Sequence, residues 1–228
     1  MRYYPVFLDL QGKPVVVVGG GNVALQKIGN LVEAGAQVTL VSPELIPELK
    51  QYVDDGKVMH IKREYENGDM DGYFLAFVAT DDGAINKVVA DEARSRGVWV
   101  NAVDDVPNCD FIMPSIVQKG ELIIALSTSG KSPAMARKVR EDVEAFLGEE
   151  DAALLDLAAE VRRELNDQKV EVRDCERCGR SHLDVWNAAL DADVKKLAGA
   201  GEHDQAKERL LKLLLSPSGQ GVAPGSGQ

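Results

Sequence analysis

Gly19-Gly20-Gly21-Asn22-Val23-Ala24 is the first stretch of the 228-residue chain whose residue types and spacing suit a chemical task. It follows four valines at 15–18 and precedes a helical pattern over 22–34, so G-x-G-x-x-A stands between a strand and a helix. In that setting Gly19 permits a tight turn, Gly21 lets the backbone approach a pyrophosphate, and Ala24 lets helix and strand pack closely. The amides opening the helix, at Asn22 and Val23, add free donors and the positive end of the dipole. The expected ligand is a dinucleotide; a plain strand-to-helix turn is the alternative. The acid that usually holds the adenosine ribose is absent after the second strand, where the chain reads Val41-Ser42-Pro43-Glu44. No arginine stands there to favour a 2′-phosphate, so NAD is expected over NADP, with Ser42 and the segment around Pro43 and Glu44 as ribose contacts.

Two more sequence turns belong to the same edge. Ala79-Thr80-Asp81-Asp82 follows a third apolar run, and Thr80 is a candidate for the second ribose. A turn with Asp81 or Asp82 capping the next helix is an equal reading. Asn101-Ala102-Val103-Asp104-Asp105 ends a further run, and a carboxylate there is placed to take a proton while a hydride leaves to the cofactor. Asp104 and Asp105 are equally readable as turn residues before Pro107.

The elements that must position these residues read as an α/β alternation. Strands are expected over 15–18, 37–41, 73–79 and 98–103, with helices over 22–34 and 84–96. Continuous apolar strands separated by helices imply a parallel, doubly wound Rossmann-type sheet. Beyond residue 113 the pattern changes to a strand over 121–126, paired with 115–117, and a helix over 134–147 started by Ser132 and Pro133. Further helices are expected from Asp151, over 183–198 and over 204–215. The organisation read from this is a nucleotide-binding domain over 1–113, a small α+β segment over 114–150, a helical region over 151–215, and a disordered tail over 216–228 rich in Gly, Pro, Ser and Gln.

Hydrophobic residues make up 45% and charged residues 28%, ordinary for a chain that buries a core. A net charge of −11 argues against nucleic acid or an anionic membrane as a general partner. No run of about eighteen apolar residues spans a bilayer. The early Asp9 interrupts the apolar start of the chain, unlike a secretory signal. Three cysteines suit a reducing cytoplasm better than a disulfide framework. Cys175 and Cys178 with His182 have zinc-like spacing, but no fourth ligand is near in sequence, so no metal is expected. Trp186, at helical spacing with Leu183 and Leu190, reads as core.

Over residues 4–147 the chain resembles the bacterial and fungal precorrin-2 dehydrogenases, the N-terminal module of sirohaem synthases. The resemblance rests on Pro5-Val6-Phe7-Leu8-Asp9-Leu10, the glycine loop, Ala79-Thr80-Asp81-Asp82, Asn101-Ala102-Val103-Asp104, Phe111-Ile112-Met113-Pro114-Ser115 and Ser127-Thr128-Ser129-Gly130-Lys131-Ser132-Pro133. It implies loss of a hydride from precorrin-2 to NAD and of a proton to water, giving sirohydrochlorin, with Asp104 as general base. Some relatives also insert ferrous iron at the same cleft, which is the alternative; a non-catalytic nucleotide-sensing module is the second. A polycarboxylate tetrapyrrole needs cationic contacts, and the substrate residues implied are Asn101, Ser127, Ser129 and Lys131. Arg137 and Arg140 are further cations of this segment, and Lys138 reads as part of a solvated helix face. The resemblance also implies a homodimer joined through this segment, with Ile112, Met113 and Leu126 near the interface.

Overall fold

The computed structural model describes residues 2–80, 82–103, 105–172 and 181–215. The expectations for Asp81, Asp104, Cys175, Cys178 and the 216–228 tail therefore fall outside the described residues. The chain divides into two compact units, 1–113 and 114–228.

The first unit holds β1 (Pro14–Val18), α1 (Asn22–Glu33), β2 (Gln37–Val41), α2 (Pro47–Asp54), β3 (Val58–Ile61), β4 (Leu75–Val78), α3 (Gly83–Ser95) and β5 (Trp99–Ala102). All five strands are parallel, in the order β3-β2-β1-β4-β5. The valines of β1 explain why it is central. Val15 and Val17 face one layer with Ala24, Ile28 and Leu31 of α1 and Leu49 of α2. Val16 and Val18 face the other with Val89, Ala90 and Ala93 of α3. A strand covered on both faces needs apolar residues at every position rather than at alternate ones.

Sequence reading finds four of the five strands and misses α2 and β3. The edge strand β3 reads Val-Met-His-Ile, with Met59 66% exposed, so it lacks the apolar run of its neighbours. Helix α2 has eight residues and one fully buried side chain, Leu49, too short a stripe to register as periodic. From β3 the chain returns over residues 62–74 to β4, on the far side of β1, without a helix. That connection is fastened by a two-bond Arg63–Asp69 pair at 2.7 Å, by Gly68 N on Glu92 at 2.7 Å, by Tyr65 donating to Glu92, and by the buried Met70. The reversal puts a topological switch point between the carboxyl ends of β1 and β4, where open α/β sheets bind ligands.

The second unit opens with an antiparallel hairpin, β6 (Ser115–Lys119) and β7 (Leu122–Leu126), in register Val117 to Ile124. Helices α4 (Pro133–Phe146), α5 (Glu149–Asp167), α6 (His182–Ala189), α7 (Ala192–Gly199) and α8 (His203–Leu215) follow. Leu157, Val161, Leu165, Val185, Val194, Ala206, Leu210 and Leu214 form one core between the last four, and Trp186 packs against it. The single helix expected over 183–198 is two. Asp191 interrupts it because its carboxylate accepts from Val194 N at 2.8 Å, capping a new helix, and from Arg209 at 2.7 Å. Helix α4 begins where expected: Ser132 Oγ accepts from Met135 N, and Pro133 occupies the first turn.

Candidate functional site

The glycine loop occupies the switch point, and its three glycines are there for different reasons. Gly19 has φ +117°, and a Cβ on it would stand 2.3 Å from the Ala79 carbonyl oxygen. Its amide donates to Val41 O at 2.9 Å, so the loop is wedged between the ends of β2 and β4. Gly20, which the sequence motif leaves free, is equally confined. A Cβ there would lie 2.0 Å from Glu44 O and 2.6 Å from Ser42 Oγ, and its carbonyl accepts from Ile46 N. Gly21 differs from both. Its φ of −98° suits any residue, and a Cβ would meet nothing within 4 Å.

Helix α1 begins at that open space. Gly21 is its N-cap and offers no side chain to the first turn, which also carries no acidic residue. The first intrahelical bond runs from Leu25 N to Gly21 O, so the amides of Asn22, Val23 and Ala24 precede it. Ala24 is fully buried against β1, which brings the helix axis close to the strand. Backbone donors at a positive dipole end, with clear space where a larger residue would project, fit a diphosphate.

The two turns beside the loop complete the edge. Ser42 is 6% exposed and its hydroxyl donates to Glu44 O at 2.7 Å, while its own carbonyl lies 2.9 Å from His60 Nε2. Ser42 therefore shapes the turn, and Pro43 and Glu44 form its exposed rim. At the end of β4, Thr80 donates to Asn86 Oδ1 at 2.7 Å, and Asn86 Nδ2 returns a bond to Thr80 O. Asp82 caps α3, accepting from Ala84 N at 2.8 Å and Ile85 N at 3.3 Å. Asn86, buried under the turn, carried no sequence signal because a helical asparagine reads as surface.

After β5 the chain folds back along the strand it has just left. Val103 N donates to Val78 O, and Asp110 exchanges two bonds with Val100: its amide reaches Val100 O and its carboxylate accepts from Val100 N. Arg94 Nε holds the other oxygen of Asp110 at 3.1 Å. Asn101 is 7% exposed, with Nδ2 donating to Phe111 O at 2.9 Å. The Cys109 thiol is half-buried against Ala102 O, and burial pushes it up from its ordinary pKa. Phe111 packs edge-on against Phe77.

Ser127, Ser129 and Lys131 lie in the second unit, on the loop between β7 and α4. Ser129 has φ +55°, and its amide donates to Ser127 Oγ at 3.0 Å. Thr128 and Ser132 bond each other reciprocally, Thr128 Oγ1 accepting from Ser132 N and donating to Ser132 O. The cations of α4 are spoken for: Arg137 pairs with Glu141, Lys138 with Asp142 and Arg140 with Glu144. Lys131 is exposed and has no carboxylate within 4.0 Å among the described residues. Among those residues no cluster of His, Cys, Asp or Glu could hold a metal, and no helix is long and apolar enough to cross a membrane.

A parallel sheet with a glycine loop at its switch point and an open helix N-terminus beside it defines a dinucleotide-binding α/β domain. Residues 6–115 match a family model described as NAD(P)-binding, and residues 119–145 match the central domain of sirohaem biosynthesis proteins. Curated relatives include siroheme synthase from Photobacterium profundum, 37% identical over 100% of this chain and 47% of that protein. Siroheme synthase 1 from Cronobacter sakazakii is 39% identical, again over 100% of this chain and 47% of its own length. Among solved structures, SirC, a precorrin-2 dehydrogenase, matches with a TM-score of 0.74 and 25% identity, covering 91% of this chain and 100% of that one. The chain is similar over its length to siroheme synthases and to a solved precorrin-2 dehydrogenase. It spans about half the length of the curated relatives it matches.

Proposed function

We propose that this chain catalyses the NAD-dependent dehydrogenation of precorrin-2 to sirohydrochlorin. The observation that carries the reading is the open space at Gly21, facing the uncapped start of α1 at the switch point. When bound there, NAD supplies the hydride acceptor. Gly19 and Gly20 hold the loop against β2 and β4, and Gly21, Asn22 and Val23 present backbone to the diphosphate. Ser42, Pro43 and Glu44 line the adenosine side. Thr80 stands at the switch point, its hydroxyl hydrogen engaged by Asn86 and its oxygen lone pairs free to accept from the second ribose.

Removal of a hydride must be matched by loss of a proton, and Asp104, two residues beyond β5 in sequence, is the proposed base. Lys131, with Ser127 and Ser129, is proposed to contact carboxylates of the tetrapyrrole; an exposed ammonium with no carboxylate partner among the described residues suits that role. The proposed compartment is the cytoplasm.

A homodimer is part of the proposal. The face of the hairpin carrying Ile116, Ile123 and Ala125 is exposed, and α4 has no fully buried side chain although Met135, Val139 and Val143 give it an apolar stripe. An amphipathic helix and a two-stranded sheet are marginal without further cover.

The test is anaerobic incubation of the purified protein with precorrin-2 and NAD, followed by absorbance. Formation of sirohydrochlorin and NADH in equal amounts is expected, with loss of turnover but retained NAD binding in Asp104→Ala. Normal turnover by that variant overturns the base assignment, and absence of product from the unaltered protein overturns the function. Sirohydrochlorin with ferrous iron, read against the uncatalysed background, separates the chelatase alternative.

A further inference from the structure

The segment returning along β5 is held by an unusual concentration of side-chain bonds for so short a stretch. Asn101 Nδ2 has two hydrogens. One is directed to Phe111 O at 2.9 Å and the other to Cys109 Sγ at 3.7 Å. The thiol's single proton lies between two carbonyl oxygens, Ala102 O at 3.0 Å and Asp105 O at 3.4 Å. These carbonyls stand on either side of residues 103 and 104. Asp105 N also reaches Ala102 O, and Asn108 closes the turn from the far side, its amide on Asp105 O at 2.9 Å and its Nδ2 on Asp105 Oδ2 at 2.7 Å. Arg94 Nη2 holds Pro107 O at 3.3 Å.

Two consequences follow from counting donors. The amide hydrogens of Asn101 are both committed inside the fold, so none is left for a substrate carboxylate. The thiol remains a donor because burial keeps it protonated.

We infer that Asn101 and Cys109 are positioning residues: they tie Ala102 and Asp105, which flank the proposed base in sequence, to the end of β5 and the returning segment, rather than touching substrate. The inference rests on the proposed dehydrogenation. A base displaced by about 1 Å from its productive position loses up to about a hundredfold in rate, so a clamp acting only on the backbone still governs turnover. It changes the chemical step and leaves ground-state binding of both reactants alone.

The experiment compares Cys109→Ala, Cys109→Ser and Asn101→Asp with the unaltered protein and with Asp104→Ala, using steady-state kinetics with precorrin-2 and NAD and hydrogen exchange of the backbone amides. Cys109→Ala is the decisive variant, since it removes one donor with little change of volume, whereas Asn101→Asp also buries a charge. Expected for Cys109→Ala are a kcat about tenfold lower or less, KM values for NAD and precorrin-2 within about twofold, and faster exchange confined to residues 105–111. Cys109→Ser, which keeps a donor, restores most of kcat.

An unchanged kcat in Cys109→Ala overturns the inference. So does a raised KM for precorrin-2 at constant kcat in Asn101→Asp, which would return Asn101 to substrate contact. Normal turnover by Asp104→Ala removes the base and overturns the inference with it. In that case faster exchange in Cys109→Ala still reports an intact clamp in the parent protein, which distinguishes a wrong base from a wrong clamp.

Discussion

Replacing Gly21 with valine separates folding from cofactor binding more sharply than any other change in the loop. The backbone at Gly21 has φ −98° and ψ −167°, ordinary extended values for valine, and the added Cβ meets no atom within 4 Å. Losing glycine at an N-cap costs about 0.5–1 kcal/mol. Restricting the unfolded chain returns about 0.4–1 kcal/mol. The two offset, and Tm is expected to move by less than about 4 °C. Binding is a different matter, because the side chain projects into the space assigned to the diphosphate. Loss of one charge-assisted hydrogen bond costs about 1.5–3 kcal/mol, which is about 10- to 150-fold in Kd. Gly20→Ala makes the contrast. Its Cβ would sit 2.0 Å from the Glu44 carbonyl, and relieving that overlap costs about 1–3 kcal/mol of stability. Titration calorimetry with NAD and thermal unfolding followed by circular dichroism read the two quantities independently. NAD binding unchanged in Gly21→Val would refute the assignment of that space, as would unfolding of Gly21→Val under conditions where Gly20→Ala stays folded.

Other expectations can be checked with equal directness. Lys131→Ala is expected to raise KM for precorrin-2 several-fold while Kd for NAD is unchanged; a shift in NAD affinity instead would remove Lys131 from the substrate side. Ile116→Lys with Ile123→Lys is expected to give a monomer by analytical ultracentrifugation, and a dimer that survives both charges would place the interface elsewhere. Leu210→Ala, in the core of the second unit, is expected to cost about 2–5 kcal/mol in urea unfolding. Acid should weaken the protein in a defined direction. Asp69 beside Arg63 and Asp151 beside Lys195 have carboxyls held below their ordinary pKa by those cations. Their stabilisation is present above the unfolded-state value, about 3.9, and is lost as pH falls below it through the lowered folded value. Urea unfolding from pH 7 to pH 3 should therefore show a smaller acid-induced loss in Asp69→Asn with Asp151→Asn than in the parent.

Residue order carried the parallel sheet and the cofactor edge because a strand buried on both faces must be apolar throughout, and the valines at 15–18 leave no other reading. The glycine spacing and the Ser132-Pro133 helix start were legible for the same reason: each is a local requirement of backbone geometry, expressed within a few residues. What escaped the sequence was decided by partners distant along the chain. Gly20 is confined by Glu44 and Ser42, on the turn after the neighbouring strand. Asp191 breaks a helix partly through Arg209, eighteen residues on. Strand β3 owes its place to pairing with β2 rather than to its own composition. Asn101 shows the difference most clearly: its position at the ligand edge was readable, but whether its amide hydrogens point to a substrate or to Phe111 and Cys109 depends on how the chain folds back, and hydrogen-bond donors are committed only when the tertiary fold brings their acceptors within reach.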